Sequence, residues 1–463
     1  MSEIIKVDLE VGQKPDAEMI EECFKEFSSR LSDYKTYQDY YSNKHTFTDK
    51  EGAKITVNLV RYCIQTIVSY MAGNPPNYVS GDGDANALKI IERFDDQNMR
   101  KKEAKNISNM RIFGRSFELV YHNNDKELTP KSVFLKPCKA FVAYNQAVDP
   151  DSVFGAVVRT VKEDKKEVHI MDVYGPGWYQ EWKTTDNNKW TLSTGSERTT
   201  RFTRVPLIEY VSSEDAMSDV EIVMSLQDAL NSVMSDRQDD KDAFAGAVLA
   251  LYGTALGFTR EEIELNKKAL KDTKVLHFEN KTAEGAEFLI KQMDEAGASL
   301  FIKDLTEFIH MLLRSPNLMD EQFSGNASGV AMAYKLYGTQ NVAKESETSI
   351  EIGFRRRCKL YDDALNNQMQ AESRDPSADV SKMNISFNYN VTIDPASEAS
   401  AALGYLNAGV SQQTVLGTLS IVDDVDKEME RLKEQKAADL ARERSLMTDE
   451  FGLPQTDEEP EEE

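Results

Sequence analysis

The chain has 463 residues, 40% of them hydrophobic, enough for two or three domains with real cores and too many for a disordered protein. Asp and Glu number 79 against 55 Lys and Arg, a formal net charge of −24, so the general surface does not attract polyanions and any contact with nucleic acid is local. Cys23, Cys63, Cys138 and Cys358 lack CxxC spacing and MSEIIKVDLE lacks signal-peptide regions, so four reduced thiols in a cytosolic setting are expected.

Helix is predicted within the first fifty residues. Met19, Cys23, Phe24, Phe27 and Leu31 recur at three-to-four spacing, followed by Tyr34, Tyr37, Tyr40 and Tyr41. A second helix starts near Asn58, with Leu59, Tyr62, Cys63, Thr66, Ile67 and Tyr70 on one face, and stops at Gly73-Asn74-Pro75-Pro76. The GDGD turn opens like a calcium loop, with Asp82, Asp84 and Asn86 alternating. Ala87 stands where that loop needs Gly, and Arg93 where it needs a bidentate Glu, so the segment reads as a turn. One helical stretch then spans about Ala85 to Met110. From Gly114 to Tyr210 the texture is strand: SFELVYH, SVFLKP, AFVAYN, GAVVRTV, EVHIMDVYG, WYQEWK and KWTLST are β-branched or aromatic runs at antiparallel spacing, giving an α+β region.

Helix returns at Ser218. Val220, Val223, Met224, Leu230, Val233 and Met234 form its apolar stripe, while Asp219, Glu221, Asp228, Asp236, Asp239, Asp240 and Asp242 load the remaining surface. Ala245 to Gln292 is mixed, with strand-like AVLALYG, KVLHFE and AEFLIK around a helix at about Arg260 to Leu270. Its apolar run Ala245 to Phe258 is shorter than the ~20 residues of a membrane span, so no span is predicted. Ala298 to Arg314 is helical, with Leu300, Phe301, Leu305, Phe308, Ile309 and Leu312 recurring on one side. It feeds the polar loop SPNLMDEQFSGNASGVAMAYKL, where Asn326 or Ser328 can cap a helix and Gly325 and Gly329 permit unusual backbone angles. A proline-free helix from about Gly329 to Glu372 would be roughly 65 Å long, more than a compact domain needs, which suggests packing against further copies. Strand-like Asn384 to Ile393 follows, then helices at Pro395 to Asn407, Gln412 to Leu419 and about Asp423 to Arg444. The acidic tail TDEEPEEE reads as disordered.

Catalytic signatures are scarce. There is no GxxxxGK[ST], and His45, His122, His169, His277 and His310 have no ligand-spaced companions. Asp236, Asp239 and Asp240 could hold Mg²⁺ for nuclease chemistry, since Asp236 and Asp240 face together, but a solvated acidic helix face is the preferred reading. Arg355, Arg356 and Arg357 point in different directions around a helix. Pairing with acids on an adjoining subunit or element is favoured over phosphate binding. No cofactor is expected.

The pieces together resemble the portal proteins of tailed bacteriophages, in the siphophage branch typical of Gram-positive hosts. The resemblance is carried by YYSNKH (Tyr40 to His45), VNLVRYCIQTIVSYMAGNPPNY (Val57 to Tyr78), FGRSFELVYH (Phe113 to His122), RVPLIEY (Arg204 to Tyr210), SLQDALNSVMSDRQDD (Ser225 to Asp240) and the loop from Ser315 to Leu336, in that order. It implies an elongated α+β subunit: an N-terminal α/β wing over 1–217, stem helices over 218–244 and 295–314, and a small α/β clip over 245–294. A tunnel loop over 315–328, the long helix and rest of the wing over 329–394, a helical crown over 395–455 and the acidic tail over 456–463 complete it. Such subunits form a ring, typically of twelve, at one capsid vertex, built in the host cytoplasm. Double-stranded DNA is packaged, retained and ejected through it without sequence specificity. Implied partners are the terminase large subunit, a head-completion or adaptor protein, and major capsid and scaffold proteins, with no membrane and no enzymatic activity. Gln322, Phe323, Ser324, Gly325, Asn326, Ala327 and Ser328 would face DNA, Asp228, Asp236, Asp239 and Asp240 would make the channel acidic, and Arg355, Arg356 and Arg357 would serve subunit contact or charge pairing. Other virion structural roles, such as a minor head protein, and a metal-dependent nuclease are the alternatives.

Overall fold

The computed structural model describes residues 4–45, 52–80, 84–122, 129–163, 166–185, 189–245, 248–252, 259–261, 264, 285–289, 295–318, 329–369, 380–390, 395–419, 421–422 and 425–451. The chain divides into two units, one of residues 1–320 with 335–390 and the other of 321–334 with 391–463.

In the first unit, strand β1 (Ile5–Lys6) precedes α1 (Ala17–Ser29), which starts where the Asp16 carboxylate accepts from Met19 N at 2.9 Å. Of the expected stripe, Cys23, Phe24 and Phe27 are buried together with Ile20, while Met19 and Leu31 are partly buried against the same core. Helices α2 (Leu31–Tyr41) and α3 (Leu59–Ala72) follow, the latter capped by Asn58, which accepts from Arg61 N at 3.0 Å. Strand β2 (Asn77–Ser80) follows the α3 stop.

The single helix expected from Ala85 to Met110 is two, α4 (Ala85–Asp96) and α5 (Met99–Phe113). Asn98 breaks it with φ 54°, a left-handed conformation that Asn tolerates better than most residues. The break leaves Gln97 reaching away from the helix axis: its amide donates to Pro130 O at 2.9 Å and to the Tyr361 hydroxyl at 3.1 Å.

The strands after α5 are β3 (Arg115–His122), β4 (Pro130–Leu135), β5 (Ala140–Tyr144), β6 (Ser152–Glu163), β7 (Lys166–Gly175), β8 (Trp178–Thr184), β9 (Thr191–Leu192), β10 (Arg198–Thr199) and β11 (Leu207–Val211). The larger sheet has the order β1-β5-β6-β7-β8-β10, with β9 also on β8; β1 joins β5 in parallel and the other pairs are antiparallel. A second sheet has the order β11-β3-β4. Strand β5 shows why the layers stack as they do. Phe141 and Ala143 point to the core shared with α1, Phe154 and Trp190, whereas Ala140 and Val142 point to the core of Phe117, Leu119 and Leu207 in the second sheet. Period-two alternation with both faces apolar therefore places this strand between helix and sheet, each buried large side chain contributing about 1.5–3 kcal/mol.

Helix α6 (Asp219–Ala245) leads to strands β12 (Val248–Tyr252) and β13 (Gly285–Leu289), which pair antiparallel within the segment expected to hold strand-like AVLALYG and AEFLIK. The helix expected at Arg260 to Leu270 lies largely outside the described residues. Helix α7 (Glu295–Leu312) packs on α6 and α3 around Val60, Cys63, Ile64, Val223, Leu230, Leu305, Ile309 and Leu313. Helix α8 (Gly329–Met369) runs 41 residues, about 60 Å at ~1.5 Å per residue. Strand β14 (Met383–Ser386) pairs antiparallel with β2 and closes this unit.

The second unit contains α9 (Pro395–Asn407), α10 (Gln412–Leu416) and α11 (Val425–Phe451), packed in sequence order. Ser411 caps α10, its hydroxyl accepting from Thr414 N at 3.3 Å. Among its described residues Val415 is buried, with Leu416, Leu419 and Val425 half-buried.

Candidate functional site

Helices α6 and α7 and the chain leaving them form a framework held at both ends. At the start of α6, Asp219 receives two bonds from Arg111, at 2.6 and 2.7 Å, and the Ser218 hydroxyl donates to Ile112 O at 2.6 Å. Both members of the ion pair are buried, and burial lifts the Asp219 carboxyl above its ordinary value against the pull of Arg111. At the far end, Glu295 at the start of α7 receives Arg237 at 3.0 Å with Lys241 at 3.6 Å, and Arg237 holds the exposed Glu295 carboxyl below its usual range.

Between these ends α6 carries a ladder. Gln227, Asn231, Ser235 and Asp239 recur every four residues and so share one face of the helix. The extended segment before α3 lies along that face. Ala53 N donates to Asp239 Oδ1 at 2.7 Å, Ile55 N to Ser235 Oγ at 2.9 Å, Val57 N to Asn231 Oδ1 at 3.0 Å and Leu59 N to Gln227 Oε1 at 3.1 Å. Gln227 Nε2 returns a bond to Val57 O at 2.6 Å. Alternate amides of the strap thus find side-chain acceptors where a sheet would offer backbone carbonyls. Gly52 fits beside the last rung because a Cβ there would stand 2.6 Å from an Asp239 carboxylate oxygen, and its φ of +108° suits glycine.

The four acids singled out in the sequence therefore have different surroundings. Asp239 accepts the strap amide, and Asp228 accepts the Tyr40 hydroxyl at 2.6 Å, which together with burial pushes the tyrosine pKa upward. Asp236 is exposed and Asp240 partly so. Among the described residues there is no group of three or more His, Cys, Asp or Glu positioned to hold a metal ion. Burial pushes the Cys23 and Cys63 thiols up to about 12, which leaves both protonated and poorly nucleophilic at neutral pH.

The segment after α7 is clamped where it departs. Ser315 N donates to His310 O at 3.0 Å, Arg314 takes φ 50°, and the Thr339 hydroxyl on α8 donates to Arg314 O at 2.8 Å. Arg314 also pairs with Glu345 at 3.5 Å. Below this clamp the buried His310 ring has Cys63 Sγ at 3.6 Å and Ser315 O at 3.2 Å, and burial lowers its pKa. Gln322, Phe323, Ser324, Gly325, Asn326, Ala327 and Ser328 lie outside the described residues.

The three arginines of α8 go three ways, as a 100° step around a helix requires. Arg355 pairs with Glu351 at 2.7 Å and reaches Asn384 Oδ1 at 3.2 Å, and Arg356 bonds the Ser152 hydroxyl. Arg357 is fully buried: its Nε lies 2.7 Å from Glu118, one Nη lies 2.7 Å from Glu103, and the other donates to the Tyr210 hydroxyl at 3.2 Å. The rings of Phe94, Phe134 and Phe354 stand around the guanidinium at 5.5–5.9 Å. Gly353 leaves room for the Tyr210 ring, which a Cβ would strike. One side chain thus ties α4, α5, β3, β4, β11 and α8 together.

The sequence reading singled out neither Gln227, Asn231 and Ser235 nor Arg111 with Asp219. The first set had a signal, since polar acceptors recur at i, i+4 and i+8 on a helix whose other faces are apolar or acidic. The second pair is separated by 108 residues and left none.

The family model described as "Phage portal protein, SPP1 Gp6-like" matches residues 20–440 of this chain. No curated protein matches it.

Proposed function

Because the chain belongs to the phage portal protein family, SPP1 Gp6-like, we propose that twelve copies form a ring-shaped channel at one capsid vertex for packaging, retaining and ejecting double-stranded DNA. It is a virion protein of a structural family whose members assemble as homo-oligomeric rings with capsid and terminase partners. The observation that carries the reading is the family match over 20–440, which takes in the α/β region, the paired helices, the loop and the long helix in one alignment. The branch we assign is that of siphophages of Gram-positive hosts.

In this reading α6 and α7 are the stem, β12 and β13 belong to the clip that meets the terminase large subunit and later the head-completion protein, and α9 to α11 form the crown. Residues 1–217, the long helix α8 and the rest of 329–394 form the wing. The major capsid and scaffold proteins surround the ring, which is assembled in the host cytoplasm, and it catalyses no reaction. Clamping of Arg314 by Thr339 supports a tunnel loop held where it leaves α7, with Gly325 and Asn326 assigned to contact the duplex without reading bases. The exposed acids on α6, Asp236 foremost, support a wall that repels phosphates and lets DNA slide. Among the described residues no helix is long and apolar enough to cross a membrane.

Electron microscopy of the purified chain tests this directly. The expected result is axial class averages with twelvefold symmetry and a channel wide enough for B-form DNA. A closed oligomer without a channel would overturn it.

A further inference from the structure

Helix α7 is apolar around most of its circumference. At 100° per residue, Leu305, Ile309 and Leu313, with the half-buried Ile302, occupy the arc covered by α6 and α3. Leu300, Phe301, Phe308, Met311 and Leu312 fill a second arc, and they are 61%, 48%, 47%, 62% and 44% exposed. A helix of a soluble unit normally shows one apolar stripe and a polar back; one that is apolar on both sides has both sides covered in its working state. The second arc amounts to on the order of 500 Å² of apolar surface, beyond what isolated exposed side chains leave on a monomer.

We infer that this second arc of α7 is a principal contact between neighbouring copies of the chain in the ring, an inference that rests on the portal reading above. Three features select a second copy as occupant. The family is homo-oligomeric, so the neighbour is present whenever the chain is at its working concentration. The patch supplies more than half of the ~800 Å² per partner that a stable interface buries, whereas an occasional visitor needs less. Lys303 and Glu307 pair with each other at 3.7 Å on the same helix, setting a polar rim beside the apolar arc, the arrangement of a protein interface. Asp304, half-buried inside the arc, requires a hydrogen-bond donor or cation from the neighbour's surface.

The test uses the full chain and compares wild type, Lys25→Glu on the exposed face of α1 as a charge control, the double variant Phe308→Asp with Met311→Glu, and the milder Met311→Ser. Sedimentation velocity and electron microscopy read the ring fraction, and circular dichroism reads the fold. Wild type and Lys25→Glu are expected to form rings. The double variant is expected to keep its helical spectrum and lose at least tenfold in ring fraction, and Met311→Ser to dissociate at severalfold higher protein concentration than wild type. Rings undiminished in both α7 variants would overturn the inference and leave the portal reading standing, even if another head protein no longer bound. Should the double variant unfold, Met311→Ser decides alone. Wild type that never assembles, with or without scaffold protein, would instead overturn the portal reading itself.

Discussion

Arg357 concentrates more of the fold than any other side chain described. Its charge is shared by two carboxylates in a fully buried site, so its removal strands both. Arg357→Leu is expected to destabilise the chain by about 3–5 kcal/mol in urea unfolding, and Arg357→Lys to recover little, because an ammonium cannot serve Glu103, Glu118 and Tyr210 at once. Glu103 adds a pH dependence. Burial, reinforced by neighbouring Glu118, lifts its carboxyl above the ordinary glutamate value in spite of Arg357. A carboxyl with a raised folded value binds its proton more tightly in the folded chain. Its stabilising contribution is therefore present below the ordinary value and lost as pH rises through the lifted one. Glu103→Gln, which keeps an acceptor for Arg357, should flatten that decline; identical stability-against-pH curves for the two proteins would refute the shift. The arginine triplet was legible in the sequence as charge pointing in several directions. Which acid meets which arginine was not, since Glu118 lies 239 residues from Arg357 and only the packing of β3 against α8 joins them.

At the scale of elements, amphipathic stripes and strand alternation carried most of the fold. The α1, α3 and α7 faces and the run of antiparallel strands follow from spacing that water and apolar surface impose locally. The break between α4 and α5 does not, because Gln97 is drawn out by Pro130 and Tyr361 from distant segments. Asn98→Gly should therefore be tolerated within a few tenths of a kcal/mol, while Asn98→Val should cost about 1–2 kcal/mol or more through its left-handed φ. Thermal unfolding of the two variants separates these outcomes. The strap ladder depends on buried acceptors, and Asn231→Ala leaves Val57 N without one. A loss of about 1–3 kcal/mol is expected, with faster amide exchange at Val57 than at Ile55, whose acceptor Ser235 remains.

For the whole molecule the dominant quantity is charge. Each copy carries a formal −24, so bringing copies together accumulates repulsion that only contact surfaces and salt can offset. Ring formation is expected to strengthen as ionic strength rises from about 0.01 M to 0.15 M, where the screening length falls from ~30 to ~8 Å. Light scattering against salt concentration reads this, and rings that dissociate over that range would show that attraction between unlike charges governs assembly. The ordered motifs made the family legible from sequence. The apolar arc of α7 was visible there only as a single hydrophobic side, because periodicity reports that a face is apolar and not which neighbour covers it.

The strap along α6 behaves as a vernier. Two residues of extended chain advance ~6.6 Å while four residues of helix advance ~6.0 Å, so the two scales coincide at one rung and drift apart by about 0.6 Å at each further one. Over the span from Gln227 to Asp239 the drift approaches 2 Å, near what side-chain rotamers can absorb. The ladder is thus self-limiting in length. It also rejects single-residue slippage, which would turn the bonding N–H groups away from their acceptors, so an insertion of one residue between Ala53 and Leu59 should be far more damaging than an insertion of two.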